Sequence, residues 1–136
     1  RWRGRFEVVN QEPLVLVDGA HNESGARALR ESVETLLGGR RIHGVMGVFG
    51  DKEYNKIIEE MRPVLQDVVA VRAPADRGLE ADVLAKAWRN AGCADVMTAG
   101  SVKEGLKLAL QRCGENDAVV IFGSLSLLGE LTRKQK

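Results

Sequence analysis

Aromatic residues make up 4% of this 136-residue chain, too few for the stacking platforms on which single-stranded nucleic acids lie. Net charge is missing too. Lys and Arg number 20 against 19 Asp and Glu, so no global field draws a polyanion or an anionic membrane surface. No apolar run approaches the ~20 residues of a membrane span. The basic start, Arg1-Trp2-Arg3-Gly4-Arg5, leads into no apolar segment of signal-peptide type. Cysteine is limited to Cys93 and Cys113, far apart and without metal-type neighbours. They read as partly buried packing residues in a reducing, cytoplasmic compartment. The expectation is a protein without nucleic-acid, membrane or metal partners of its own.

Several chemical motifs are also absent. There is no G-x-x-x-x-G-K-[ST] phosphate loop, no G-x-G-x-x-G after the first strand, no G-x-S-x-G elbow and no Cys/His dyad. Gly44, Gly47 and Gly50 are spaced by threes and do not match the dinucleotide pattern. Such a chain is not expected to hold ATP phosphates and Mg²⁺ alone. If it serves an enzyme, it supplies half of an active site. It also starts without Met, and the expectation is a piece of a longer polypeptide.

What is present is ordinary for one globular domain: 44% hydrophobic and 29% charged residues. Strand-like runs at 6–9, 14–17, 41–48, 68–71, 95–98 and 118–122 alternate with helical patterns. Asn10 to Pro13 reads as a turn between the first two strands, which pair antiparallel at the sheet edge. The helical stripes are Ala26, Leu29, Val33 and Leu36; Tyr54, Ile57, Ile58, Met61 and Leu65; Leu79, Val83, Leu84, Ala87 and Trp88; Val102, Leu106, Ala109, Leu110 and Cys113; and a last helix from Leu125 to Leu131. This alternation specifies an α/β, Rossmann-like three-layer sandwich. It has a mostly parallel six-stranded sheet, one antiparallel edge strand and about five helices. The charges of Glu31-Glu34 and Glu59-Glu60 read as solvated faces, His43 as packing or surface, and the tail from Arg133 to Lys136 as a frayed end.

The most informative stretch is Leu14-Val15-Leu16-Val17-Asp18-Gly19-Ala20-His21-Asn22. A β-prone run ends abruptly in an acid, a glycine, a histidine and an amide. That is how a parallel sheet delivers polar groups to its carboxyl edge, where open α/β folds place ligands. Asp18, expected at an exposed strand end, can accept two hydrogen bonds, as from a ribose diol, and His21 can donate, accept or titrate near neutral pH. The plain alternative is that Asp18 and Asn22 cap the helix that follows. Loops 47–52, 73–77, 98–101 and 123–124 should gather on the same edge. Lys52 there could neutralise a carboxylate or phosphate, or be a solvated residue of a first helical turn. Ser124 could donate to a carboxylate or cap a helix, and Arg77 is either a ligand or an exposed cation.

The order of these signals carries more than each one alone. Gly4-Arg5-Phe6-Glu7-Val8, Asp18-Gly19-Ala20-His21-Asn22, Gly47 to Asp51-Lys52-Glu53-Tyr54, Arg77, and Gly123-Ser124-Leu125 with Gly129-Glu130 run as in one known pattern. Residues 1–136 resemble the carboxyl-terminal domain of folylpolyglutamate synthase/dihydrofolate synthase, a family grouped with the Mur peptide ligases. The resemblance implies an ATP-dependent, ADP-forming ligase that joins L-glutamate to a folate or dihydropteroate through an acyl phosphate. The phosphate loop, the Mg²⁺ ligands and the pterin site would belong to an amino-terminal ATPase domain, the partner over which this domain closes. It further implies that Arg5 contacts the nucleotide and Asp18 the ribose of ATP, and that His21 and Asn22, which face the cleft, are catalytic together with Lys52. Lys52 and Ser124 would meet the incoming glutamate, with Arg77 beside them.

The chain departs from the pattern at Arg3, Glu23 and Asp76, where proline is common, and at Ser126, where an aromatic is frequent. Asp76 beside Arg77 could pair with it and remove it from ligand contact. Two other readings stand: a Mur-type peptidoglycan ligase domain, and a non-catalytic Rossmann-like binding module.

Overall fold

The computed structural model describes residues 5–124 and 126–133. Arg3, Gly4, Leu125 and the tail from Lys134 lie outside the described residues. The strands are β1 (Glu7–Gln11), β2 (Leu14–Asp18), β3 (Ile42–Met46), β4 (Asp67–Ala70), β5 (Val96–Thr98) and β6 (Ala118–Phe122). The helices are α1 (Glu23–Leu36), α2 (Tyr54–Met61, followed by a 3-10 turn at Arg62–Val64), α3 (Ala81–Asn90), α4 (Val102–Gln111) and α5 (Ser126–Arg133).

One six-stranded sheet has the order β1-β2-β6-β3-β4-β5. β1 pairs antiparallel with β2 at the edge, as expected, and every other pair is parallel. The central strands read Leu-Val-Leu-Val-Asp and Ala-Val-Val-Ile-Phe without polar alternation, because both of their faces are covered. α1, α2 and α3 pack on one face through Leu29, Ile57, Leu84 and Trp88 against Leu16, Met46 and Phe122. On the other face Val102, Ala109 and Leu127 from α4 and α5 pack against Val17, Val45, Val69 and Ile121. α4 approaches closely at Gly105, where a Cβ would stand 2.8 Å from a methyl of Val71.

Register sets the site. Asp18, Phe122, Met46, Ala70 and Thr98 align across the sheet as the last paired residues of their strands. The loops that follow them therefore open on one edge. β6 feeds α5 on one face, while its neighbours β2 and β3 feed α1 and α2 on the other. A crevice opens on both sides of β6, the kind of switch point where open α/β sheets hold ligands.

Several details differ from the sequence reading. α1 ends at Leu36, and Leu37 follows at φ −120° in a non-helical conformation. Leu37 therefore turns into the core, leaving Leu36 60% exposed. Leu79 lies ahead of α3 in an extended segment whose N–H bonds to the Val48 carbonyl. Counting the stripe from Leu79 thus crosses an element boundary, and Val83 is exposed while Leu84, Ala85 and Trp88 are buried. Glu60 is not solvated: it faces α1 and pairs with Arg27 at 3.0 Å and Arg30 at 3.2 Å.

His43 is neither simple packing nor surface. It is buried between Asp67, 2.9 Å from Nδ1, and Asp117, 2.9 Å from Nε2. Arg112 links Asp67 to Asp95, and Arg41 approaches Asp117 at 3.6 Å. With a carboxylate at each ring nitrogen, the imidazole can donate on both sides only as the imidazolium. The His43 bond, then the Gly114 N–H and the charges of Arg41 and His43, hold the Asp117 carboxyl below its ordinary value. This cluster lies at the amino ends of β3, β4 and β6, on the edge opposite the crevice. Burial raises both cysteine thiols, and nearby aspartates add to the effect; neither is poised as a nucleophile.

Candidate functional site

The site grows from the ends of β2, β3 and β6. Asp18 is buried, not exposed as expected. Its Oδ1 accepts the Ala20 N–H at 2.8 Å and its Oδ2 accepts the Phe6 N–H at 2.8 Å. Asp18 thus does not cap α1. It pins the turn before β1, where Phe6 adopts φ 53°, and so fixes the position of neighbouring Arg5. Burial raises the Asp18 carboxyl from its ordinary value, opposed by the two backbone bonds and by the charge of Arg5. A carboxylate has about four acceptor positions, so two remain for a ligand. Arg5, Phe6, Asp18 and Gly25 share a cleft of about 130 Å³.

Asn22 does cap α1: its Oδ1 accepts the Gly25 N–H at 2.8 Å. The cap leaves the amide NH₂ as the donor available to a ligand. Arg5, Gly19, His21, Asn22 and Ser24 line a cavity of about 370 Å³ at the amino end of α1, where backbone N–H groups favour anions. His21 Nδ1 lies 3.0 Å from the Gly19 carbonyl, so Nδ1 donates there, and in the neutral ring Nε2 is an acceptor.

The second cavity, about 290 Å³, is lined by His21, Phe49, Lys52, Arg77, Gly123, Ser124 and Ser126. Gly123 lets it form. Its φ is 114°, and a Cβ there would collide with the Gly47 carbonyl, so the loops after β6 and β3 meet backbone to backbone. Lys52 precedes α2 by two residues and has no anionic partner among the described residues. Ser124 accepts the Ser126 N–H at 3.2 Å, and the two hydroxyls lie 2.7 Å apart. Arg77 does not pair with Asp76. Its guanidinium sits 4.8 Å over the Phe49 ring and 3.4 Å from Asp51. The loops carrying Phe49 and Arg77 are zipped together by the Gly50 N–H to the Arg77 carbonyl, 2.9 Å, and by the Phe49–Gly78 bridge.

The fold therefore gathers Arg5, Asp18, His21, Asn22, Lys52, Arg77 and Ser124 on one edge, with His21 lining both the 370 Å³ and the 290 Å³ cavity. A groove of about 330 Å³ between the β1–β2 hairpin and α4 and α5 is apolar apart from Asn10 and Lys103 and offers no comparable chemistry. Sequence reasoning missed Phe49 and Asp51. The signal was their position in the 47–52 loop, but their roles depend on a partner loop 26 residues away.

The family model described as "Mur ligase, glutamate ligase domain" matches residues 4–125. The chain belongs to this family. The ligase domain is 33% identical over 129 residues to a probable bifunctional folylpolyglutamate synthase/dihydropteroate synthase of Halobacterium salinarum, covering 95% of this chain and 16% of that protein. It is 33% identical over 107 residues to the dihydrofolate synthase/folylpolyglutamate synthase of Mycobacterium tuberculosis, covering 78% and 22%. A crystal structure of Mycobacterium tuberculosis folylpolyglutamate synthase complexed with ADP and AMPPCP superposes with a TM-score of 0.90 at 28% identity, over 98% of the ligase domain and 32% of that chain. The domain thus spans less than a third of those relatives' length. No helix among its described residues is long and apolar enough to cross a membrane.

Proposed function

We propose that the ligase domain is the carboxyl-terminal domain of an ATP-dependent, ADP-forming enzyme that adds L-glutamate to folate or dihydropteroate in the cytosol. Its own amino-terminal ATPase domain is the partner across the crevice. The observation that carries this reading is the pair of adjoining cavities. One is set for an anion, with the diol acceptor Asp18 in the neighbouring cleft beside Arg5; the other holds two cations and two hydroxyls for a dicarboxylate amino acid. The names of the halobacterial and mycobacterial relatives, and the nucleotide complexes of the mycobacterial one, support it.

In this reading Asp18 accepts from the ribose hydroxyls, and Arg5 and the amino end of α1 meet phosphate oxygens. Asn22 donates from its amide. Lys52, Arg77 and Ser124 take the carboxylates of glutamate, the arginine by its planar fork and the lysine as a point charge. Once the substrate carboxylate is phosphorylated, the glutamate amine displaces phosphate from the acyl phosphate and the amide forms. Closure of the two domains excludes water that would hydrolyse the acyl phosphate. Among the described residues no group of three His, Cys, Asp or Glu could hold a metal ion. The ligands of the Mg²⁺ that accompanies ATP are assigned to the amino-terminal domain.

The test is incorporation of labelled glutamate by the full-length protein with Mg-ATP. Dihydropteroate, tetrahydrofolate and a nucleotide-linked muramyl acceptor are offered in parallel, with residues 1–136 alone as control. Label in a pterin product is expected from the full-length protein and none from the domain. Label only in the muramyl acceptor assigns the peptidoglycan branch, and ligation by the domain alone refutes the two-domain reading.

A further inference from the structure

We infer that His21 Nε2 takes the proton that glutamate must lose before its nitrogen can attack; this deepens the ligase reading and rests on it. The imidazole stands on the wall shared by the two cavities, with Arg5 and Asn22 on one side and Lys52, Arg77 and Ser124 on the other. Any amino acid seated between the cations and the hydroxyls must pass its amine along this wall to reach a phosphorylated carboxyl at the nucleotide side. The Gly19 carbonyl accepts from Nδ1 and so fixes both ring orientation and tautomer. Nε2 has no partner among the described residues and is left with a lone pair at the boundary. The other charged groups sharing these cavities, Arg5, Lys52 and Arg77, are cations and cannot accept a proton. The acid of the same loop, Asp18, accepts from two backbone N–H groups and lies in the separate cleft.

The chemistry requires an acceptor. At neutral pH glutamate arrives as an ammonium, which has no lone pair. One N–H proton moves to Nε2, giving a free amine and an imidazolium. The amine lone pair forms the C–N bond at the acyl carbon. The C–O bond to phosphorus-bearing oxygen breaks with its electrons on phosphate, which takes the second amine proton. The imidazolium returns its proton to solvent. General acid–base catalysis of this kind contributes about 10²–10⁴ in rate.

The experiment compares two nucleophiles in the full-length protein and its His21→Gln variant. Glutamate needs deprotonation, whereas hydroxylamine is already uncharged at neutral pH and traps the acyl phosphate as a hydroxamate. Expected for His21→Gln is a loss of about 10²-fold or more in kcat with glutamate, recovered progressively as pH rises. Hydroxamate formation should stay near the unaltered rate, which also shows that the variant is folded and still activates its carboxylate. Equal loss of both products, or a raised KM for glutamate with kcat and pH profile unchanged, overturns the proton-acceptor role. Absence of both products from the unaltered protein overturns the ligase reading itself, and the role with it.

Discussion

The two edges of the sheet carry similar side chains and use them in opposite ways. At the amino edge His43, Asp67, Asp117, Arg112, Arg41 and Asp95 are joined to one another. At the carboxyl edge Lys52 lacks an anionic partner and His21 Nε2 lacks any among the described residues. Arg77 is held only by an exposed carboxylate and a ring face. Polar groups that satisfy each other hold strands together. Polar groups that converge without satisfying each other leave bonding capacity for a ligand. Richness in charge does not by itself mark a site; unsatisfied convergence does.

The largest effect expected from this contrast is on stability at the amino edge. His43→Leu removes the donor between two buried carboxylates, and breaking such an arrangement costs about 3–5 kcal/mol. Lys52→Ala, at a position without an ion pair, should stay within about 0.5 kcal/mol. Urea denaturation of both variants at neutral pH checks this, and equal losses would erase the distinction.

Asp18 belongs to both categories and should show it. Asp18→Ala leaves the Phe6 and Ala20 N–H groups without their acceptor, at about 1–3 kcal/mol for each buried orphan. It should also raise the KM for ATP of the full-length protein. An unchanged KM for ATP in the surviving folded fraction would reduce Asp18 to a purely structural acceptor.

The two edges should also titrate with opposite sign. Asp117 is held below the ordinary carboxylate value of 3.8 by His43, the Gly114 N–H and nearby cations. Its contribution is therefore present above that value and is lost as pH falls through its lower folded value. Asp18 is raised above 3.8, chiefly by burial. Its contribution is present below 3.8 and is lost as pH rises through its higher folded value. Urea midpoints measured across the acid range should show a shallower acid loss in Asp117→Asn and no such flattening in Asp18→Asn.

Much of this architecture is written locally. The continuous apolar run Ala118–Phe122 is β6 residue for residue, and Asn22 three residues before Gly25 announces the cap of α1. The positions of Asp18, His21, Lys52 and Ser124 at strand ends also follow from alternation alone, because every parallel strand must end on the same edge. What stayed hidden depends on strand order. His43 meets Asp67 and Asp117 only because β3 lies between β6 and β4, and those partners are 24 and 74 residues away. Asp18 meets the Phe6 N–H only through the antiparallel edge pair. Arg77 meets Asp51 and not its sequence neighbour Asp76, because the Phe49–Gly78 bridge brings the two loops together.

That last pair gives the smallest and sharpest test. The Arg77 and Asp51 side chains are 67% and 55% exposed, so their ion pair is worth about 0–1 kcal/mol and weakens with salt. Stacking on Phe49 adds about 0.5–1 kcal/mol. Neither Arg77→Lys nor Asp51→Asn should move the urea midpoint measurably. Arg77→Lys loses the planar fork and much of the stacking, and should raise the KM for glutamate about 3–10-fold, a cost of about 1 kcal/mol. Asp51→Asn removes the carboxylate that competes with substrate for the guanidinium, so it should lower that KM, most clearly at low salt. If Asp51→Asn raises KM as Arg77→Lys does, Asp51 aims the arginine and does not compete for it. Arg77 would then be held as His43 is, by a partner it needs, and the carboxyl edge would contain a piece of the amino edge's logic.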